Sequence, residues 1–145
     1  MTTVADLLIE KQARLHSIPS GLCVLEATQI MNEHAIGALV VVEGTQLAGI
    51  FTERDVLRRV VAAGRSPVST RVATVMTSEV IAAPVEMSLE EARCVMKHRR
   101  IRHLPVVRTD GTVIGMVSIG DLNAHQCASQ EVEIFQLHEY LYGRV

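Results

Sequence analysis

PSGLCVLEATQIMNEHAIGALVVVEGTQLAGIFTERD, Pro19 to Asp55, lies in register over PVEMSLEEARCVMKHRRIRHLPVVRTDGTVIGMVSIGD, Pro84 to Asp121. Pro19 falls on Pro84, Ala27 on Ala92, Met31 on Met96, Ile36 on Ile101, Leu39 on Leu104, and Val41-Val42 on Val106-Val107. One inserted residue in the second hairpin then brings Gly49 onto Gly115 and Asp55 onto Asp121. Self-similarity sustained over this length marks a duplicated structural unit, and it decides the architecture before any single residue does.

Both copies have the same periodicity. A short β segment (Arg14 to Ile18; Glu79 to Ala83) leads through the proline into a helix, whose apolar residues in the second copy recur as Leu89, Ala92, Val95 and Met96. Ser88 followed by Glu91 forms a capping-box pattern, whereas the first copy carries Cys23 at that place and starts its helix less well. Two β-rich runs follow, Ala38 to Val42 then Leu47 to Phe51, and His103 to Val107 then Thr112 to Val117. Gly44 marks the first turn, and Asp110-Gly111 is a strong hairpin signal in the second. A second helix starts at Thr52 or Ser118.

The unit is therefore β-α-β-β-α and the fold class α/β (α+β), with a three-stranded sheet and helices on one of its faces. About 60 residues is marginal for an independent core, so the open sheet faces are expected to pack on each other in one pseudo-twofold domain. The expected division is a leading helix in 1–13 (Met1 to Gln12, with Val4, Leu7, Leu8 and Lys11), a first repeat in 14–64, a linker in 65–76, a second repeat in 77–125 and a helical tail in 126–145. The tail holds Val132, Phe135, Leu137, His138, Tyr140 and Leu141. Apolar surface of this kind on so small a module predicts a twofold homodimer.

Composition removes several function classes. Of 145 residues 48% are hydrophobic and 21% charged, with Lys and Arg totalling 14 against 16 for Asp and Glu, so no global field attracts nucleic acid or an anionic membrane. Aromatic residues make up 3% and there is no Trp, which leaves little for base stacking. No uncharged apolar stretch approaches the roughly 18–20 residues of a membrane span, and the N-terminus lacks a basic leader, so a cytoplasmic location is expected. Cys23, Cys94 and Cys127 fall in no C-x-x-C pair. Cys94 and His98 stand four apart on a helix without a third ligand at a supporting spacing, so no metal site is expected. No nucleophile elbow occurs, and no catalytic residues are assigned.

The chemistry is carried by the matched stretches Gly49-Ile50-Phe51-Thr52-Glu53-Arg54-Asp55 and Gly115-Met116-Val117-Ser118-Ile119-Gly120-Asp121. Each puts a hydroxyl and a carboxylate three residues apart at a strand-to-helix junction. That pattern also caps helices, with the hydroxyl and carboxylate satisfying orphan N–H groups. Its duplication in register points further. A helix N-terminus suits a phosphate and a nearby carboxylate accepts both hydrogens of a ribose cis-diol, so phosphate plus sugar accounts for both features. Neither G-x-x-x-x-G-K-[ST] nor G-x-G-x-x-G occurs, which excludes the P-loop and Rossmann routes to a nucleotide.

On these residues the chain resembles the tandem cystathionine-β-synthase (CBS) domain pair, or Bateman module, over roughly residues 14 to 125. FTERDVLRRVVAAGR, VMTSEV and RIRHLPVV with GMVSIGD are similar to small stand-alone CBS-pair proteins. The resemblance implies two pseudo-symmetric clefts for an adenosine ligand, AMP foremost, with ATP, NAD or S-adenosylmethionine as alternatives. It places Asp55 and Asp121 on ribose hydroxyls, Thr52 and Ser118 on ribose or phosphate, and Ile36, Ala38, Ile101 and His103 around adenine. Arg54, Arg100, Arg102 and, besides its place near adenine, His103 are candidates for phosphate. Ile119 and Gly120 complete the second motif, and Gly120 standing where the first copy has Arg54 makes the two sites unlike. Arg58 is expected to assist electrostatically and Arg59 to be solvated.

These features together describe a regulatory sensor acting by conformational change and passing its output to the dimer geometry or to an effector protein. Rival readings are a scaffold with vestigial clefts, an enzyme using Cys94 or a histidine, and a nucleic-acid binder using Lys97 to His103.

Overall fold

A computed structural model describes residues 2–143, with only the backbone described at 129, 132 and 142. The first repeat runs through β1 (Ser17–Pro19), α2 (Val24–His34), β2 (Ala38–Glu43), β3 (Gln46–Thr52) and α3 (Glu53–Asp55), which continues as a π-helical stretch, Val56–Val61. The second runs through β4 (Ala83–Pro84), α5 (Leu89–Arg99), β5 (His103–Val107), β6 (Val113–Ser118) and α6 (Ile119–Tyr142). Each repeat forms a three-stranded sheet of order β1-β2-β3 or β4-β5-β6, whose middle strand is parallel to the first and antiparallel to the third. The edge strands are shorter than expected and include their prolines, which is tolerable at a sheet edge where no ladder donor is needed.

Helices cover one face of each sheet. Leu39, Val41 and Phe51 pack with Ile18, Val24, Ala27, Met31 and Val60 in one core, and Leu104, Val106 and Val117 pack with Ala83, Ala92, Met96 and Leu122 in the other. Ala38, Val40 and Ile50, which alternate with the core residues of the first sheet, are buried too, so that sheet is covered on both faces. Val113 N donates to Thr45 O at 3.2 Å, tying the two hairpins together.

Two segments expected to lie outside the repeats belong to these cores. The leading helix α1 (Val4–Glu10) is opened by a Thr3–Asp6 capping box and buries Val4, Leu7 and Leu8 in the core of the second repeat. The linker holds a short helix α4 (Val72–Val75), whose Val72 and Val75 are buried in the core of the first. The two helices dock alike: Val4 N donates to Met87 O and Ala5 N to Val85 O, while Val72 N donates to Leu22 O and Ala73 N to Ser20 O. Leu22 and Ser20 correspond to Met87 and Val85 in the repeat register. Each helix thus precedes one repeat and completes the core of the other.

Caps follow the local sequence. Ser88 Oγ accepts from Glu91 N at 3.1 Å. Cys23 offers no side-chain cap, and connector carbonyls replace it, Thr70 O accepting from Val24 N and Pro67 O from Leu25 N. The tail is continuous with α6 and shows no break at 126; Ile134, Phe135, Leu137, Tyr140 and Leu141 on it are exposed. The side chain of Val132 lies outside the described residues.

Candidate functional site

The two hydroxyl-and-acid turns are capping boxes with matching geometry. Asp55 Oδ2 accepts from Thr52 N at 2.9 Å and Thr52 Oγ1 accepts from Asp55 N at 3.3 Å. Asp121 Oδ2 accepts from Ser118 N at 2.8 Å and Ser118 Oγ accepts from Asp121 N at 3.1 Å. The first helical N–H groups are also committed, Glu53 N donating to Gly37 O at 3.0 Å and Ile119 N to Arg102 O at 2.9 Å. The helix starts therefore have fewer N–H groups to offer a phosphate than the sequence pattern suggested.

Each turn opens onto a cleft whose opposite wall comes from the other repeat. The first cleft, about 350 Å³, joins Thr52, Arg54 and Asp55 to Arg100, Ile101, Arg102 and His103, with Thr77, Glu79, Val80 and Ile81 beside them. The second, about 300 Å³, joins Ser118 and Asp121 to Ile36 and Ala38, with Lys11, Arg14, Leu15 and His16. Gly37 and His103 line both and form the septum between them. The β2 and β5 starts are paired with the turns of their own sheets, Ala38 with Thr52 and His103 with Ser118, and this pairing sets the clefts back to back.

Of the expected site residues, Ile119 and Gly120 do not line either cleft. Ile119 packs against the core of the second repeat, and Gly120 is exposed on the first turn of α6. The segments 79–81 and 14–16 were not anticipated. They occupy corresponding places ahead of the edge strands, and the duplication itself was the available signal. Arg59 is not merely solvated. Its Nη1 donates to Val75 O and Met76 O at 3.1 and 3.0 Å, and its Nε lies 3.7 Å from Asp55 Oδ1, so it ties α4 to the first turn.

Electrostatics separate the clefts. The first gathers Arg54, Arg58, Arg100 and Arg102, besides the engaged Arg59, against Glu53, Asp55 and Glu79. Arg100 ends α5 at φ 55°, a left-handed conformation that would favour glycine. In the second cleft Lys11 Nζ donates to Asp121 Oδ2 at 2.6 Å and to Met116 O at 3.2 Å. Burial works to raise the Asp121 carboxyl, but Lys11 and the Ser118 N–H hold it below the usual carboxylate range. Burial pushes His103 down, with Asp121 and Glu53 pulling the other way and Arg102 adding to the fall. His16 is lowered by burial, by His34 and by Arg14. Among the described residues no three His, Cys, Asp or Glu side chains form a metal-ligand set, and no helix is long and apolar enough to cross a membrane.

The family model for the CBS domain matches residues 21–62 and again 72–126. The chain belongs to the CBS-domain family. As a CBS pair it is 42% identical over 125 residues to a mitochondrial CBS domain-containing protein of Arabidopsis thaliana, covering 83% of this chain and 60% of that relative's length. A CBS-domain protein of Burkholderia ambifaria superposes with a TM-score of 0.83 at 40% identity, covering 89% of this chain and 96% of its own. A CBS domain pair solved in complex with 5′-methylthioadenosine and S-adenosyl-L-methionine superposes with a TM-score of 0.80 at 25% identity, covering 89% and 98%. The α+β fold and the tandem arrangement are those of CBS pairs.

Proposed function

We propose that this CBS pair is a regulatory module, not an enzyme, that senses an adenosine nucleotide in the cleft of Thr52 and Asp55. The observation that carries this reading is the composition of that one cavity. Asp55 with two further carboxylates, apolar walls from Ile50, Val80, Ile81 and Ile101, and five arginines, Arg59 among them already engaged, converge on about 350 Å³, within the usual range of small-molecule sites. Asp55 accepts the ribose hydroxyls, Thr52 orients them, Ile81 and Ile101 sandwich the purine, and Arg54, Arg100 and Arg102 hold phosphate.

The excess of cations favours a phosphorylated ligand. AMP is the first choice, ahead of ATP, NAD and S-adenosylmethionine, and the adenosine ligands of the related CBS pair support the class. Repeats in 14–64 and 77–125 closing on the ligand would shift an equilibrium between arrangements, since only differential affinity can do so. The exposed apolar residues of α6 fit a homodimer whose geometry, or an effector protein bound to it, carries the output, in the cytoplasm.

A thermal-shift series with AMP, ATP, NAD and S-adenosylmethionine tests the reading. A ligand at about 100 times its dissociation constant adds near 2.7 kcal/mol, a rise of roughly 10 °C for a chain this size. No rise with any of the four leaves the scaffold reading in its place.

A further inference from the structure

The pseudo-twofold symmetry is broken by one turn of helix. α1 has seven residues and α4 four, although both dock through equivalent backbone hydrogen bonds. Their registers align Leu8 with Met76, and each of those side chains lies over the equivalent glycine: a Cβ on Gly115 would meet Leu8 Cδ1 at 2.7 Å, and one on Gly49 would meet Met76 Sδ at 2.8 Å. Beyond that point the paths differ. In the first repeat Thr77 follows at once and bridges β3, its N–H donating to Ile50 O at 2.9 Å. In the second repeat the chain stays helical for a further turn, and the carbonyl equivalent to Ile50 O, that of Met116, is taken instead by the Lys11 ammonium.

From there Lys11 reaches Asp121 at 2.6 Å, while the shorter connection of the first repeat places no lysine on Asp55, whose cation partner is Arg59, at 3.7 Å and with its Nη1 spent on the Val75 and Met76 carbonyls. Lys11 cannot drift away cheaply, since α1 carries Val4, Leu7 and Leu8 in the core and Thr3 as its cap. The second cleft also lacks the arginine cluster of the first, so little within it would compete for the carboxylate.

Resting on the adenosine reading above, we infer that Lys11 is a built-in occupant of the second cleft, which holds Asp121 away from a ribose and limits the chain to one nucleotide. Lys11 is a specificity-determining residue: it converts a duplicated site into a single working one. Its removal frees Asp121 for a second ligand.

Isothermal titration with AMP and, separately, ATP, on wild type, Lys11→Met and Lys11→Arg, tests this, with circular dichroism melts to verify folding. The expected result is one nucleotide per chain for wild type and for Lys11→Arg, and a second site in Lys11→Met at least tenfold tighter than any second site in wild type. Two sites of equal affinity in wild type, or a stoichiometry of one in folded Lys11→Met, overturns the inference while leaving the first cleft intact. Weaker binding to Lys11→Met overturns it as well, because Lys11 would then be a ligand contact. Binding by none of the three proteins takes down the adenosine reading, and this inference with it.

Discussion

Replacing Asp55 by Ala separates the capping role of the turn from its binding role, and Asp121→Ala is the internal control. In Asp55→Ala the Thr52 N–H loses its acceptor at 2.9 Å and the Thr52 hydroxyl a second contact at 3.2 Å, in a side chain whose residue is only 8% exposed. Loss of such a cap costs about 1 kcal/mol. Asp121→Ala loses the same cap at 2.8 Å and the Lys11 ion pair, whose side chains are 29% and 26% exposed, where Asp55→Ala loses the longer Arg59 contact at 3.7 Å, and solvent screening keeps both ion-pair losses small. Both variants should therefore lose about 1–2 kcal/mol in urea denaturation. Binding should separate them. Hydrogen bonds to a charged carboxylate contribute about 1.5–3 kcal/mol, so Asp55→Ala should weaken AMP roughly 10- to 100-fold by titration calorimetry, while Asp121→Ala stays within about threefold. An Asp55→Ala protein with its cap lost and its AMP affinity unchanged would show the turn to be a cap alone.

Other outcomes follow from particular contacts. Gly49→Ala sets a Cβ 2.7 Å from Thr77 O, and backbone cannot yield as a side chain can, so it should cost about 1–3 kcal/mol, more than Gly115→Ala, whose neighbour is the Leu8 side chain; denaturant melts compare them. Arg100→Gly relieves the left-handed cap and should raise stability by up to about 1 kcal/mol while lowering AMP affinity about tenfold and leaving adenosine affinity unchanged, as paired titrations would reveal. His103 has its pKa depressed in the folded state, so the unfolded chain binds the extra proton. The stability this group contributes is present above about pH 6.5 and is lost as pH falls from there toward the folded value. Stability curves from pH 8 to 5 should fall less steeply for His103→Gln, and an unchanged slope would place the titration elsewhere.

The duplication made the sheets, hairpins and central helices legible, because period and turn residues agree at Pro19 and Pro84, at Gly49 and Gly115, and at Asp110-Gly111. The turns at Thr52 and Ser118 were legible for the same reason. What escaped was set by packing between the repeats. Four residues, Val72 to Val75, are too short a run to announce a helix, yet two of them complete a core. The reach of Lys11 to Asp121 spans 110 positions, and no spacing rule connects them. Ile119 and Gly120 followed their motif into the candidate site, but the helix that starts there turns one inward to the core and the other out to solvent. Residues 79–81 and 14–16 lie on irregular backbone without a motif of their own, and only the sheet pairing brings them to the cleft mouths.

The most direct test is a crystal structure grown with AMP. One molecule in the first cleft is expected, with its ribose hydroxyls on Asp55, its purine between Ile81 and Ile101, its phosphate among Arg54, Arg100 and Arg102, and the Lys11–Asp121 pair intact. AMP seated instead on Asp121 with Lys11 displaced, or absent from both clefts at saturating concentration, would contradict the account.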